Sequence, residues 1–374
     1  MKVVLITARF PEPGFRGDQL RARQQAELLH GEHELVILTG GTPSSPAARA
    51  ELESLATVIV VPLSRRERLR GALGGLARGV PLQVGWMTPP RMRRLSAPVA
   101  ATADVAIAST IRCLPEPLPA PTLLDHIDAL SVNMRQRARL ERRWPLRLGA
   151  ALEGLLLLRH ERRGARWCCA QAVVSPIDAR ELAPDPTPVV MPLVQDPPSA
   201  PPTAKRDIDV ILTGNMAYPP NRDAAEWLAG EIAPRVRRRR PGARIMIAGR
   251  SASALSLAGV EVAGDVDDLA ALLLRARVAV VPLRRGTGTP TKVLEAAAAG
   301  AAVVTTPWVA EAVGDHGLLT ASDADGFAAA IERLLADETD RARQVTRGDS
   351  MLAACSSETV GLTLSRLLAA CAGG

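Results

Sequence analysis

Between Arg284 and Gly300 the chain reads RRGTGTPTKVLEAAAAG. Two glycines, three threonines and a proline form a loop of little bulk, and the residues after it are strong helix formers. Pro290 suits the first helical turn, where its missing N–H would have no partner. A glycine-containing loop at that point exposes backbone N–H groups at the positive end of a helix dipole, which makes an anion site, most often for phosphate. Lys292 adds a charge within reach of the same anion. Glu295, three residues on, shares its helix face, and a carboxylate there can accept two hydrogen bonds from vicinal hydroxyls such as those of a ribose. The plainer alternative is a turn followed by an acid that stabilises the helix dipole. The spacing G-x-G-x-x-T lacks the third small residue of the dinucleotide fingerprint, so NAD binding is not indicated.

Other residues able to do chemistry are few. The pairs Asp265/Asp267 and Asp323/Asp325 have the form of a metal-binding DxD, but each lies where a loop enters a helix, and helix capping is the favoured reading. Five scattered cysteines, Cys113, Cys168, Cys169, Cys355 and Cys371, include no CxxC pair and no nearby histidine cluster. That spacing speaks against a disulfide framework or zinc site and for a reducing compartment. A lone histidine, His126, ends the apolar run of LLDHID. As a single residue it reads equally as a hydrogen-bonded core group or a site residue, with Asp125 on the opposite face of the strand.

The elements that must hold these residues alternate strand and helix. VVLIT, LVILTG, TVIVVPL, DVAIAS, TLLDHI and AVVSP are strands, with a helix over about 19–29 and long helical stretches between Ala129 and Trp167. All-apolar strands separated by helices imply a parallel sheet covered on both faces. The alternation restarts with DVILTG, a helix near 223–240, RIMIAG, VEVAG, VAVVPL and AVVTTP, and ends in helices over about 323–335 and from Arg341 onward. The expected fold is therefore α/β, with two Rossmann-like domains facing across a cleft, where open α/β sheets hold ligands at their strands' carboxyl ends. The boundaries are 1–196, a proline-rich linker at 197–206, 207–350, and a C-terminal helix at 351–374 free to return to the first domain.

Composition excludes several classes. At 374 residues, 47% hydrophobic and 23% charged, the chain is an ordinary globular protein of two-domain size. MKVVLITARF reads as a first strand, too short for a signal peptide. The longest apolar stretch, LGAALEGLLLL, is interrupted by Glu153 and flanked by arginines, and no segment reaches the roughly 18–20 residues of a membrane span. Aromatic residues make up only 2%, too few for the stacking platforms of single-strand nucleic-acid readers. The net charge of +7 is uneven: residues 1–206 hold 28 Lys+Arg against 19 Asp+Glu, the remainder 18 against 20. RRERLR (65–70), RMRR (91–94) and RQRARLERR (135–143) are either solvated faces or surfaces for anionic headgroups or an acidic acceptor.

KVLEAAAAGAAVVTT, behind a strand ending VVPL and a Gly-Thr loop, resembles the donor-binding segment of family-4 glycosyltransferases of GT-B fold (group 1 glycosyl transferases). Gly214 to Arg250 is similar to the exosortase- and exopolysaccharide-linked branch of that family, and GDVDDLAALLLRARVAVVPL fits the same pattern. FPEPGFRGDQLRARQQAELL and PTLLDHIDALS agree more loosely. The resemblance implies that Glu295 binds the donor ribose and that Lys292, with Gly286, Thr287, Gly288 and Thr289, holds the diphosphate and sugar. It places Val266 by the nucleobase, Gly17 by the phosphate from the other domain, and His126 with Lys292 at the reaction centre. Where many members carry a first glutamate, eight positions before the second, this chain has Thr287, as the exosortase-linked branch also lacks it. The expected activity is retaining transfer of a hexose from a nucleoside-diphosphate sugar to a hydroxyl, without a metal or other cofactor, in natural-product, polysaccharide or glycolipid synthesis. A GT-B sugar-nucleotide epimerase and a non-catalytic nucleotide-sugar binder are the alternatives. The expected setting is a bacterial cytoplasm, with weak peripheral contact to an anionic membrane and no nucleic-acid partner.

Overall fold

The computed structural model describes residues 1–12, 16–182, 187–197, 205–264, 266, 268–286 and 288–373. Asp265, Asp267, Thr287 and most of the proline-rich 197–206 segment lie outside the described residues. The chain divides into two compact units, Met1–Val194 with Val360–Gly374, and Gln195–Thr359.

The first unit holds a parallel sheet of β1 (Lys2–Thr7), β2 (Glu34–Thr39), β3 (Thr57–Val60), β4 (Val105–Ser109), β5 (Thr122–Asp125), β6 (Ala170–Val173) and β7 (Val189–Val190), in the order β3-β2-β1-β4-β5-β6-β7. Its helices are α1 (Gly17–Leu29), α2 (Pro46–Glu53), α3 (Arg65–Leu76), α4 (Leu82–Met87), α5 (Pro90–Ala100), α6 (Leu130–Leu140), α7 (Trp144–Ala165) and α8 (Pro176–Leu182). The central strands are apolar throughout because both faces are covered. Val3, Leu5 and Ile107 pack with Ala22 and Leu29 of α1, while Val4, Ile6 and Ala108 pack with Met92 of α5 and Leu157 of α7.

The second unit repeats the plan with β8 (Ile208–Thr213), β9 (Ile245–Ala248), β10 (Glu261–Ala263), β11 (Ala276–Val281), β12 (Ala302–Thr305) and β13 (Leu319–Thr320), all parallel, in the order β10-β9-β8-β11-β12-β13. Its helices are α9 (Pro219–Trp227), α10 (Ala233–Arg239), α11 (Leu269–Leu274), α12 (Thr291–Ala298), α13 (Pro307–Ala312), α14 (Ala324–Ala336) and α15 (Glu338–Ala354). A π-turn, Leu228–Ile232, joins α9 to α10 where the sequence reads as one helix. Asp323 caps α14, its Oδ1 accepting from Gly326 N at 2.7 Å, and Asp268 caps α11.

The helix expected from Arg341 to the C-terminus is two helices, and the last, α16 (Ser357–Ala372), packs Val360, Leu364 and Leu368 against the first sheet beside Val3 and Leu5. That path corrects the cysteine reading. Cys169, just before β6, and Cys371, near the end of α16, are disulfide-bonded across 202 residues, with an S–S distance of 1.98 Å. Sequence spacing carries no trace of this pair because only the return of α16 brings the two thiols together. The cysteine pattern therefore no longer argues for a reducing compartment. Among the described residues no helix is long and apolar enough to cross a membrane.

Candidate functional site

The site is assembled at the carboxyl ends of β8, β9 and β11, neighbours in the second sheet. β8 turns at Gly214 (φ 154°) and β9 at Gly249 (φ 123°). A Cβ on Gly249 would lie 2.4 Å from the Gly214 carbonyl oxygen, so the two turns fit together only without side chains. A Cβ on Gly214 would lie 3.0 Å from Asn221 Nδ2 and 3.1 Å from Lys292 Nζ. Bare backbone thus leaves room for the Lys292 ammonium.

Asn221, on α9, holds that ammonium. Lys292 Nζ donates to Asn221 Oδ1, and Asn221 Nδ2 donates to the Asn215 carbonyl at 2.9 Å. Asn215 Oδ1 in turn accepts from Ala217 N at 3.0 Å, which fixes the turn after β8. Burial pushes the Lys292 pKa down to about 8, with Glu295 pulling the other way. Glu295 is half-buried on the same helix, one turn further on. A partly desolvated cation at a helix N-terminus, with a carboxylate beside it, can bind a diphosphate and a neighbouring diol.

The loop from β11 into α12 is anchored on both sides. Gly286 sits against Trp308 of α13, where a Cβ would lie 2.8 Å from the indole edge, and Gly288 has φ 69°. Arg284 pairs with Asp223 at 2.7 Å and lies 5.0 Å from the centroid of the Trp227 ring. Thr306 Oγ1 donates to the Leu283 carbonyl at 2.6 Å. The helix starts one residue later than expected, with Pro290 as its N-cap and Thr289 in the loop before it. Val266 is half-buried between β10 and α11. A separate cavity of about 460 Å³, lined by Arg206, Arg277, Glu338 and Arg341, lies at the amino ends of β8 and β11 and takes no part in this site.

Gly17 and His126 belong to the first unit. Gly17 opens α1 at an exposed position. His126 is fully enclosed: Nε2 lies 2.8 Å from Gln171 Oε1, and burial lowers its pKa, which keeps the ring neutral. Asp125 turns to α1 instead, accepting from Arg21 Nε and Gln25 Nε2, each at 2.7 Å. Ile127 (φ 65°) and Thr110 (φ 72°) hold left-handed backbone at the ends of β5 and β4, a strain that such residues adopt only where the surroundings fix it. Just after β2, where Arg68 Nη2 donates to the Gly40 carbonyl at 2.7 Å, burial followed by repulsion from Arg9 lowers the Arg68 pKa. For Arg112 burial also leads, with Asp128 opposing it and Arg9 adding to it.

Sequence reasoning did not single out Gly214, Gly249, Asn221 or Arg112, and it took Arg68 only as part of the basic RRERLR patch. The two glycines had a signal, since each follows an apolar strand directly, in DVILTG and RIMIAG. Asn221 had none, because its role depends on where α9 passes Lys292.

Two Rossmann-like parallel-sheet units define a GT-B architecture. Over the whole length the fold is similar to that of HepE from Anabaena in complex with UDP, at 13% identity, 99% of this chain, 100% of that chain and a TM-score of 0.66. It is also similar to the trehalose 6-phosphate synthase of Burkholderia multivorans (13% identity, 100% and 99% of the chains, TM-score 0.63) and to the glycosyltransferase of kitacinnamycin (16%, 98% and 99%, 0.56). No curated protein sequence matches the chain. Residues 207–337, most of the second unit, match the family of group 1 glycosyl transferases. The second unit thus matches that family, and the match together with the fold supports a glycosyltransferase.

Proposed function

We propose that the chain transfers a hexose, with retention, from a nucleoside-diphosphate sugar bound by the second unit to an acceptor hydroxyl. The observation that carries this reading is the Lys292 ammonium, half-buried against Gly214 at the N-terminus of α12 and held by Asn221. In this reading Lys292 and the backbone of Gly286–Thr289 neutralise the diphosphate as it leaves, an electrostatic task that raises the rate only where charge develops in the transition state. Glu295 accepts the ribose hydroxyls, and Val266 lies by the base. Uridine is the first base to test, since HepE of Anabaena is known bound to UDP and to UDP-glucose.

Gly17 brings backbone N–H groups to the phosphate from the first unit. His126, neutral in its present setting, shapes the reaction centre from the end of β5. The charge of Lys292 and the helix terminus takes the place a divalent cation would otherwise fill. The segment Gly214–Arg250 favours the exosortase- and exopolysaccharide-linked branch, with a polysaccharide, glycolipid or natural product as acceptor. A transfer assay with a nucleotide-sugar panel, run with and without chelator, tests this. Sugar transfer that persists in chelator is expected. Activity abolished by chelator and restored by magnesium would refute metal independence, and donor epimerisation without transfer would refute the transferase reading.

A further inference from the structure

The first unit presents an apolar stripe where a water-facing helix surface should be polar. On α7, Trp144, Leu148, Leu152 and Leu155 follow one another at spacings of four, four and three residues, so they share one face. They are 75%, 52%, 53% and 57% exposed. The opposite face, with Ala150, Glu153, Leu157 and Glu161, is the buried one. The same stripe then runs on into Arg159 and Arg162, both exposed.

A second stripe accompanies it. Leu69, Leu73 and Leu76 of α3, at i, i+4 and i+7, are also exposed and follow Arg65 and Arg66. Helix α4 joins the two. Glu153 of α7 accepts from Leu82 N and Gln83 N at 3.0 and 2.9 Å, and Gly71 of α3 and Gly85 of α4 meet backbone to backbone. Isolated exposed leucines are common, but stripes on helices packed through one element mark an interaction surface.

Charge decides what covers it. Residues 130–166 carry ten arginines, all exposed, against three glutamates, of which Glu153 and Glu161 are buried. A second copy of this chain would bring the same positive field against itself, which disfavours self-association. Leucine and tryptophan bordered by arginine match the boundary between the headgroups and acyl chains of an anionic leaflet.

We propose that α7, with α3, is a docking surface for an anionic lipid bilayer, the leucines and Trp144 entering the interface and the arginines meeting the headgroups. This goes beyond the transferase reading and stands independently of it, because binding is measured without donor or acceptor.

Flotation of the full chain with vesicles of phosphatidylcholine, with and without phosphatidylglycerol, tests the proposal. Wild type is expected to float with the anionic vesicles only. The triple variant Leu148→Ser, Leu152→Ser, Leu155→Ser keeps every charge and replaces exposed side chains, and it is expected to lose binding by about tenfold or more. Quenching of tryptophan fluorescence by brominated lipid is expected in wild type and absent from Trp144→Phe. Failure to bind anionic vesicles at low salt would overturn the proposal. So would equal binding by the triple variant, which would reduce the contact to charge alone. A wild-type dimer that the triple variant dissociates would overturn it in favour of a second copy.

Discussion

The Lys292 ammonium donates to Asn221 Oδ1, joining α12, which follows β11, to α9, which follows β8. Two turns at the carboxyl ends of adjacent strands are thereby locked around one positive charge. Burial holds the Lys292 pKa at about 8 in the free protein. A bound diphosphate favours the charged form and raises it.

Binding of a nucleoside diphosphate should therefore take up a proton in a window that opens near pH 8. At that pH the free lysine is about half protonated, so an uptake of up to about half a proton per site is expected, falling towards zero a unit and a half lower. Affinity should weaken as pH rises through 8. Calorimetry at pH 8 in buffers of different ionisation enthalpy measures the uptake. The same value in Lys292→Ala would assign the proton to another group.

Gly249→Ala is expected to damage fold and site together. The new methyl would lie 2.4 Å from the Gly214 carbonyl oxygen, at a φ of 123° that L-residues avoid. Strain and overpacking at such a position cost on the order of 2–5 kcal/mol, and relief by shifting Gly214 would displace Lys292. Gly242, with nothing within 4 Å of a Cβ among the described residues, serves as the control. A melting temperature for Gly249→Ala equal to that of Gly242→Ala would contradict the interlock.

In the first unit, Glu161 gives a stability prediction with a definite sign. Its carboxyl is buried, with Oε1 accepting from Ser131 N at 3.1 Å and Oε2 without a hydrogen-bond partner among the described residues. Burial raises its pKa to about 7 from an ordinary 4.5, the contact with Ser131 opposing the rise. The folded state then holds the proton more tightly than the unfolded state. Its contribution is full below about pH 4.5 and is lost as pH rises to about 7, by on the order of 3 kcal/mol at most. Glu161→Gln should remove that slope and leave stability at pH 8 equal to or above wild type. Denaturant unfolding at pH 5 and pH 8 checks this, and parallel pH dependence of the two proteins would refute it.

The α/β class and the two-unit plan were legible because covered parallel strands must be apolar and helices must separate them. DVILTG, RIMIAG, VAVVPL and AVVTTP all became strands of one sheet. The helix N-terminus at Lys292 was legible because glycine, proline and lysine each have a local backbone or charge reason to stand there. The two-residue strands β7 and β13 were not, since so short an edge has no periodicity. Neither were the Cys169–Cys371 bond and the support of Lys292 by Asn221, which depend on long-range packing. Nor was the outward face of α7 legible: an apolar run inside a long helix does not say which of its leucines point outward, and only the fold reveals it.

The central claim is that Lys292 and Glu295 hold the nucleoside diphosphate of the donor. Its most direct test is equilibrium titration of a nucleoside-diphosphate panel, UDP first, into wild type, Lys292→Ala and Glu295→Ala, with melting temperatures recorded for all three. Lost charge-assisted hydrogen bonds of about 1.5–3 kcal/mol predict at least a tenfold rise in Kd for each variant, with the folded state preserved. Wild-type affinity retained in both variants would contradict the account.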